Sequence, residues 1–121
     1  NTAVALVCGA AFLLLFASGY WLRPSSKPYS VLLLTGHKLL GVGLLAYLAV
    51  IMRQVIRTTP LLTGHWVLAA FCGAAFLATI ASGGLVSTIR EMPLAVRWAH
   101  KLLPYMALVL SGVTLYLIFL R

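Results

Sequence analysis

Polar residues break this chain at only three places, and between the breaks lie four long apolar stretches: Ala3 to Leu22, Val31 to Met52, Leu62 to Val86 and Leu94 to Leu120. A helix needs about 20 apolar residues to cross a hydrocarbon layer roughly 30 Å thick, so each stretch is long enough to span. The separators, RPSSKPYS (23–30), RQVIRTTPL (53–61) and STIREMP (87–93), carry four of the five prolines and most of the charge. Turns at head-group level have this character, because irregular backbone is not tolerated against lipid. Short connections predict an antiparallel up-down-up-down bundle of four transmembrane helices, forming one domain over 1–121. The first stretch reads as a span rather than a secretory leader, since no basic region precedes it and no cleavage site leads into a soluble domain.

Composition agrees with a membrane as the solvent: 63% of the residues are hydrophobic, 8% are charged, and the mean hydropathy is +1.07. Charge then gives an orientation, because Lys and Arg accumulate on the cytoplasmic side. Arg23, Lys27, Lys38, Arg90, Arg97 and Lys101 fall on the side of the first and third connections, and Arg53, Arg57 and Arg121 on the other. Residues 23–30 and 87–93 are therefore predicted cytoplasmic, in an energy-transducing membrane such as a bacterial inner membrane. The net charge of +8 would suggest nucleic acid in a soluble chain. Here the charges sit at span ends, where lipid phosphates take them up, and no nucleic-acid site is expected.

The chain also repeats itself. Residues 1–19 align without gaps on 65–83 with ten identities, including CGAAFL at Cys8–Leu13 and Cys72–Leu77 and ASG at Ala17–Gly19 and Ala81–Gly83. HKLL then recurs at His37–Leu40 and His100–Leu103. The units are 1–63 and 64–121. Two spans per unit send both copies into the membrane in the same direction, which predicts a pseudo-two-fold axis along the membrane normal. Ala5 with Gly9, and Ala69 with Gly73, have the small-xxx-small spacing that lets helices approach closely.

The repeat makes His37 and His100 a pair at one depth, roughly 10 Å below the same face at 1.5 Å per residue. Polar groups at that depth are rare unless they face the bundle interior with a partner. Bundles hold cofactors between facing helices, and two neutral imidazoles can hold a six-coordinate haem iron. The chain lacks a C-x-x-C-H motif, so the expected group is one b-type haem, with His37 and His100 as axial ligands. Gly41, Gly19 and Gly83 lie near the same face and leave room for a flat cofactor, and Arg23, Lys38, Arg97 and Lys101 are candidate partners for its propionates. The same histidines also suit an interhelical hydrogen bond, an axial pigment magnesium, or a metal or quinone site.

With four spans and the intramembrane pair His37 and His100, the chain resembles the four-helix haem b membrane proteins, the class of the cytochrome b561-type proteins and the b subunits that anchor respiratory enzymes. The resemblance covers nearly the whole chain and implies electron transfer. Many members of that class carry four histidines and two haems, whereas this sequence has one symmetric pair and a solitary His65.

His65 falls in TGHW beside Trp66 at the start of the third stretch and is aligned with Asn1. It reads as an interfacial residue, with a quinone contact or a ligand shared with another subunit as the sharper alternatives. Cys8 and Cys72 read as small apolar-like thiols rather than a disulfide. The one acidic residue, Glu91, lies in a connection. With no acid pair, nucleophile triad or phosphate loop, independent catalysis is not expected. The expected function is a membrane electron-transfer subunit linking a quinone or a partner-subunit cofactor to a redox partner. A pigment-binding or purely structural subunit of a photosynthetic or respiratory complex is the alternative, and a small transporter ranks last for want of intramembrane carboxylates.

Overall fold

The structure is a computed structural model that describes residues 2–22, 31–88 and 93–120. Of these residues 95% are helical. They form α1 (Thr2–Leu22), α2 (Val31–Thr58), α3 (Thr63–Thr88) and α4 (Leu94–Leu115), and α4 runs on into a π-helical turn, Tyr116–Leu120. All four helices are long and apolar enough to cross a membrane. At most 17% of the most apolar window of any of them is buried inside the protein. Side chains such as Leu13, Val31 and Leu32 are more than 70% exposed. Apolar surface on that scale is compatible with a lipid bilayer rather than water as the surroundings.

Helix ends follow local chemistry more closely than apolarity does. α1 is described as far as Leu22, and the Arg23-Pro24 step that follows it lies outside the described residues. α2 does not stop with its apolar stretch at Met52 but continues through RQVIRT to Thr58. Arg, Gln, Val and Ile all propagate a helix, and the first residue able to end it is Pro60. Thr58 closes the last turn, its Oγ1 donating to the carbonyls of Gln54 at 3.3 Å and Val55 at 3.2 Å. α3 opens with the amides of His65 and Trp66 donating to the Leu62 carbonyl at 3.0 and 3.3 Å. α4 starts after Pro93, whose carbonyl accepts from Val96 and Arg97. Residues 23–30 and 89–92 lie outside the described residues.

The core gathers Val4, Cys8 and Phe12 from α1, Leu44 from α2, Cys72, Ala75 and Phe76 from α3, and Ala107 from α4. Val4, Cys8 and Phe12 fall four residues apart and so share one helix face. Positions equated by the sequence repeat meet in this cluster: Cys8 and Cys72, Phe12 and Phe76, and Leu44 and Ala107 are all buried. The rings of Phe12 and Phe76 tilt against each other with centroids 5.7 Å apart. Both cysteines are free and buried, and Cys72 Sγ lies 3.3 Å from Ser111 Oγ on α4. α3 and α4 share the most extensive contact, and α1 and α2 a smaller one. Across α1 and α4, the Tyr20 and Tyr105 hydroxyls hydrogen-bond, and the Phe16 ring lies tilted against Tyr105 with centroids 5.0 Å apart.

The small-xxx-small expectation is not met at its glycines. A Cβ built on Gly9 or Gly73 would touch nothing within 4 Å, and Gly9 is exposed. The buried stripe is the one carrying Cys8 and Phe12, one residue round the helix from Gly9. Side chains of ordinary size interdigitate there, and no close backbone approach is needed.

Candidate functional site

His37 is the seventh residue of α2 and His100 the seventh of α4, so both rings leave their helices at the same distance from the start. Each is met by a serine four to six residues before the end of the preceding helix. Ser18 Oγ on α1 lies 2.7 Å from His37 Nδ1, and Ser82 Oγ on α3 lies 3.1 Å from His100 Nδ1. Ser18 and Ser82 are the central residues of the two ASG copies. The hydrogen bond that ties each histidine to its neighbouring helix therefore recurs with the sequence repeat.

The hydroxyl hydrogens decide how the rings are protonated. Ser18 Oγ donates to the Leu15 carbonyl at 3.1 Å and Ser82 Oγ to the Thr79 carbonyl at 3.0 Å, the back-bonding habit of serine within helices. A serine hydroxyl has one hydrogen, so each oxygen is left to accept from the facing Nδ1. His100 gives a second reason, because its Nδ1 also lies 3.1 Å from the Thr79 carbonyl oxygen, which can only accept. With the serine hydrogens on those carbonyls, both imidazoles would carry their hydrogen on Nδ1 and keep the lone pair on Nε2. A hydrogen bond at one ring nitrogen is what orients a metal-ligating histidine and fixes its tautomer.

Glycines make room for the rings. A Cβ on Gly19 would lie 3.3 Å from His37 Cε1, and one on Gly83 would lie 2.7 Å from His100 Cε1 and 3.3 Å from both ring nitrogens. Gly19 and Gly83, expected beside a cofactor, are thus the backbone platforms on which the imidazoles rest. Gly41 instead faces Leu15 Cδ2, 3.7 Å from its would-be Cβ, an ordinary packing distance. An open groove of about 380 Å³, lined by Leu14, Ser18, Leu32, Leu33, Gly36, His37 and Leu40, runs beside His37.

Of the basic residues singled out from sequence, Lys38, Arg97 and Lys101 are exposed, and Arg23 lies outside the described residues. The Lys101 ammonium sits 5.0 Å from the centroid of the Trp98 ring, a cation–π contact. His65 stands apart from this group, the third residue of α3 and half-buried, and its Nδ1 is buried without a hydrogen-bond partner.

The candidate donors are two histidines, one on α2 and one on α4. Among the described residues no three of His, Cys, Asp and Glu come together as they would to hold a metal ion by themselves. Two axial nitrogens suffice only for a metal that brings its own equatorial ligands, as a porphyrin iron does. Taken singly, each histidine suits such a group: its Nδ1 lies against a serine hydroxyl that can accept, which would leave the Nε2 lone pair for the metal, and a glycine seats its ring. Sequence reading passed over the serines and Thr79. The signal was present, in that Ser-Gly recurs at the same repeat position, but it registered only as small residues.

The fold and site define an all-helical chain of four potential membrane spans in which a serine-tethered histidine recurs once per helix pair. No protein-family model matches the chain, nor does any curated protein or solved structure.

Proposed function

We propose that this is an integral membrane electron-transfer subunit that binds one b-type haem between His37 and His100. The single observation that carries the reading is the repeated Nδ1 hydrogen bond, to Ser18 at 2.7 Å and to Ser82 at 3.1 Å, which leaves Nε2 of both histidines free to ligate. A haem supplies a one-electron iron couple there, with a potential tuned by its axial ligands and surroundings. The chain's own part is to hold two neutral imidazoles in fixed tautomers, seat them on Gly19 and Gly83, and keep water away with an apolar shell. Lys38, Lys101, Arg97 and Arg23 are suited to the propionates.

The reading takes the bundle as two tandem two-helix units, running up-down-up-down about a pseudo-two-fold axis along the membrane normal. Two facts support it: the equated pairs Cys8–Cys72, Phe12–Phe76 and Leu44–Ala107 share one core, and each serine late in a helix meets a histidine early in the next. The preponderance of Lys and Arg puts 23–30 and 87–93 on the cytoplasmic side of an energy-transducing membrane. Partner subunits or a quinone would supply and remove the electrons.

A dithionite-reduced minus oxidised spectrum, with a pyridine haemochrome count, tests the proposal on protein purified from haem-replete cells. One low-spin b-type haem per chain is expected, and none in His37→Ala or His100→Ala. Haem retained in both variants would sink the proposal. The open groove beside His37 favours a second reading, a pigment ring ligated by one histidine at a time. Chlorin absorbance, without an iron couple, is its signature.

A further inference from the structure

We infer that the two histidines are held unequally: among the described residues Ser18 is the one hydrogen-bond partner of His37 Nδ1, while His100 is held twice, by Ser82 and by the Thr79 carbonyl. The Nδ1 hydrogen of His37 has one acceptor among the described residues, Ser18 Oγ at 2.7 Å. The Nδ1 hydrogen of His100 is shared between Ser82 Oγ and the Thr79 carbonyl, each at 3.1 Å. Leu15 stands at the repeat position of Thr79, and its carbonyl accepts the Ser18 hydroxyl but, among the described residues, no imidazole hydrogen. The two sites therefore differ in redundancy. Removing the Ser82 hydroxyl leaves His100 an acceptor that fixes the same tautomer, whereas removing the Ser18 hydroxyl leaves His37 none, and its hydrogen is free to move to Nε2.

A hydrogen on Nε2 occupies the lone pair that a metal would take. Ser18 thus governs how often His37 is competent to ligate, and Ser82 governs His100 much less. Loss of such an orienting partner typically weakens a metal site about 10- to 100-fold. The tautomer part stands on the hydrogen bonds alone, and the haem part rests on the proposed function.

The experiment uses full-length protein with ¹⁵N-labelled histidine, first without haem and then titrated with it. In the wild-type apoprotein both His37 and His100 should give the Nδ1–H pattern of ¹⁵N shifts. Ser18→Ala should move His37 out of that pattern and weaken haem binding by about tenfold or more. Ser82→Ala should leave His100 in the pattern and weaken haem by a clearly smaller factor, and Ser18→Thr, which restores a hydroxyl, should recover His37. Equal responses of the two sites, or His37 unmoved in Ser18→Ala, would overturn the inference. If the shifts behave as stated but no variant, wild type included, takes up haem, the proposed function fails and the unequal tethering stands.

Discussion

A methyl group added at Gly83 should disturb the protein far more than the same group at its repeat equivalent, Gly19. In Gly83→Ala the new Cβ would stand 2.7 Å from His100 Cε1 and 3.3 Å from Nδ1 and Nε2. Carbon atoms pack at about 3.5–4.0 Å, so the ring must withdraw by roughly 0.8 Å or more. It is not free to do so, because its Nδ1 is tied to Ser82 Oγ and the Thr79 carbonyl at 3.1 Å each. Overpacking of this kind costs about 1–3 kcal/mol, and each hydrogen bond lost about 0.5–1.5 kcal/mol. Against that, replacing glycine by alanine inside a helix gains roughly 0.5–1 kcal/mol. Gly83→Ala should therefore be net destabilising by about 1–2 kcal/mol. In Gly19→Ala the closest approach is 3.3 Å, to His37 Cε1 alone. A shift of a few tenths of an ångström relieves it, so the helix gain roughly cancels the strain and the variant should be neutral within about 0.5 kcal/mol. Unfolding of the two variants by SDS in mixed micelles, followed by tryptophan fluorescence, measures the difference. Gly83→Ala matching wild type, or Gly19→Ala costing as much, would refute the ring placement at His100.

His65→Ala should spare any haem that His37→Ala abolishes, read by the pyridine haemochrome count, because His65 is remote from the pair along α3. Tyr20→Phe or Tyr105→Phe should each cost about 0.6 kcal/mol and no more than about 1.7, the range for interhelical hydrogen bonds in lipid, in the same SDS titration. Cys8 and Cys72, both buried, should resist maleimide in the folded protein and react fully only after denaturation, with no disulfide detected by non-reducing mass analysis.

The helices were legible because a bilayer leaves a long apolar run no alternative to satisfying its backbone internally. Their ends were less so. The arginines at 53 and 57 read as a connection on hydropathy, yet Arg and Gln propagate a helix and only Pro60 ends it. The repeat gave the histidine pair, since two copies of HKLL must place their imidazoles alike. It did not give Ser18 and Ser82 their role, because the hydrogen bond joins two helices and local sequence carries no record of which faces meet. The same limit misassigned Gly9 and Gly73. A glycine in a helix signals room, and only the packing says whether a neighbouring backbone, an imidazole or lipid fills it.

The helix registers also bear on how the two histidine features of this chain relate. Ser82, which holds His100, lies seventeen residues beyond His65 on the same α3. At 1.5 Å per residue the two levels are separated by about 25 Å, most of a hydrocarbon thickness. In the proposed up-down-up-down arrangement, a cofactor held by His37 and His100 would serve the membrane face near the first and third connections. A ligand satisfying the bare Nδ1 of His65 would sit near the opposite face. A quinone at His65 would consequently need a further carrier, in this chain or a partner, to exchange electrons with the histidine pair, and the described residues contain no third histidine between the two levels. For a subunit acting in electron transfer, the more economical arrangement puts its quinone or partner cofactor on the His37–His100 side, beside which Lys38, Arg97 and Lys101 fall in the sequence. His65 is then left to a contact of another kind.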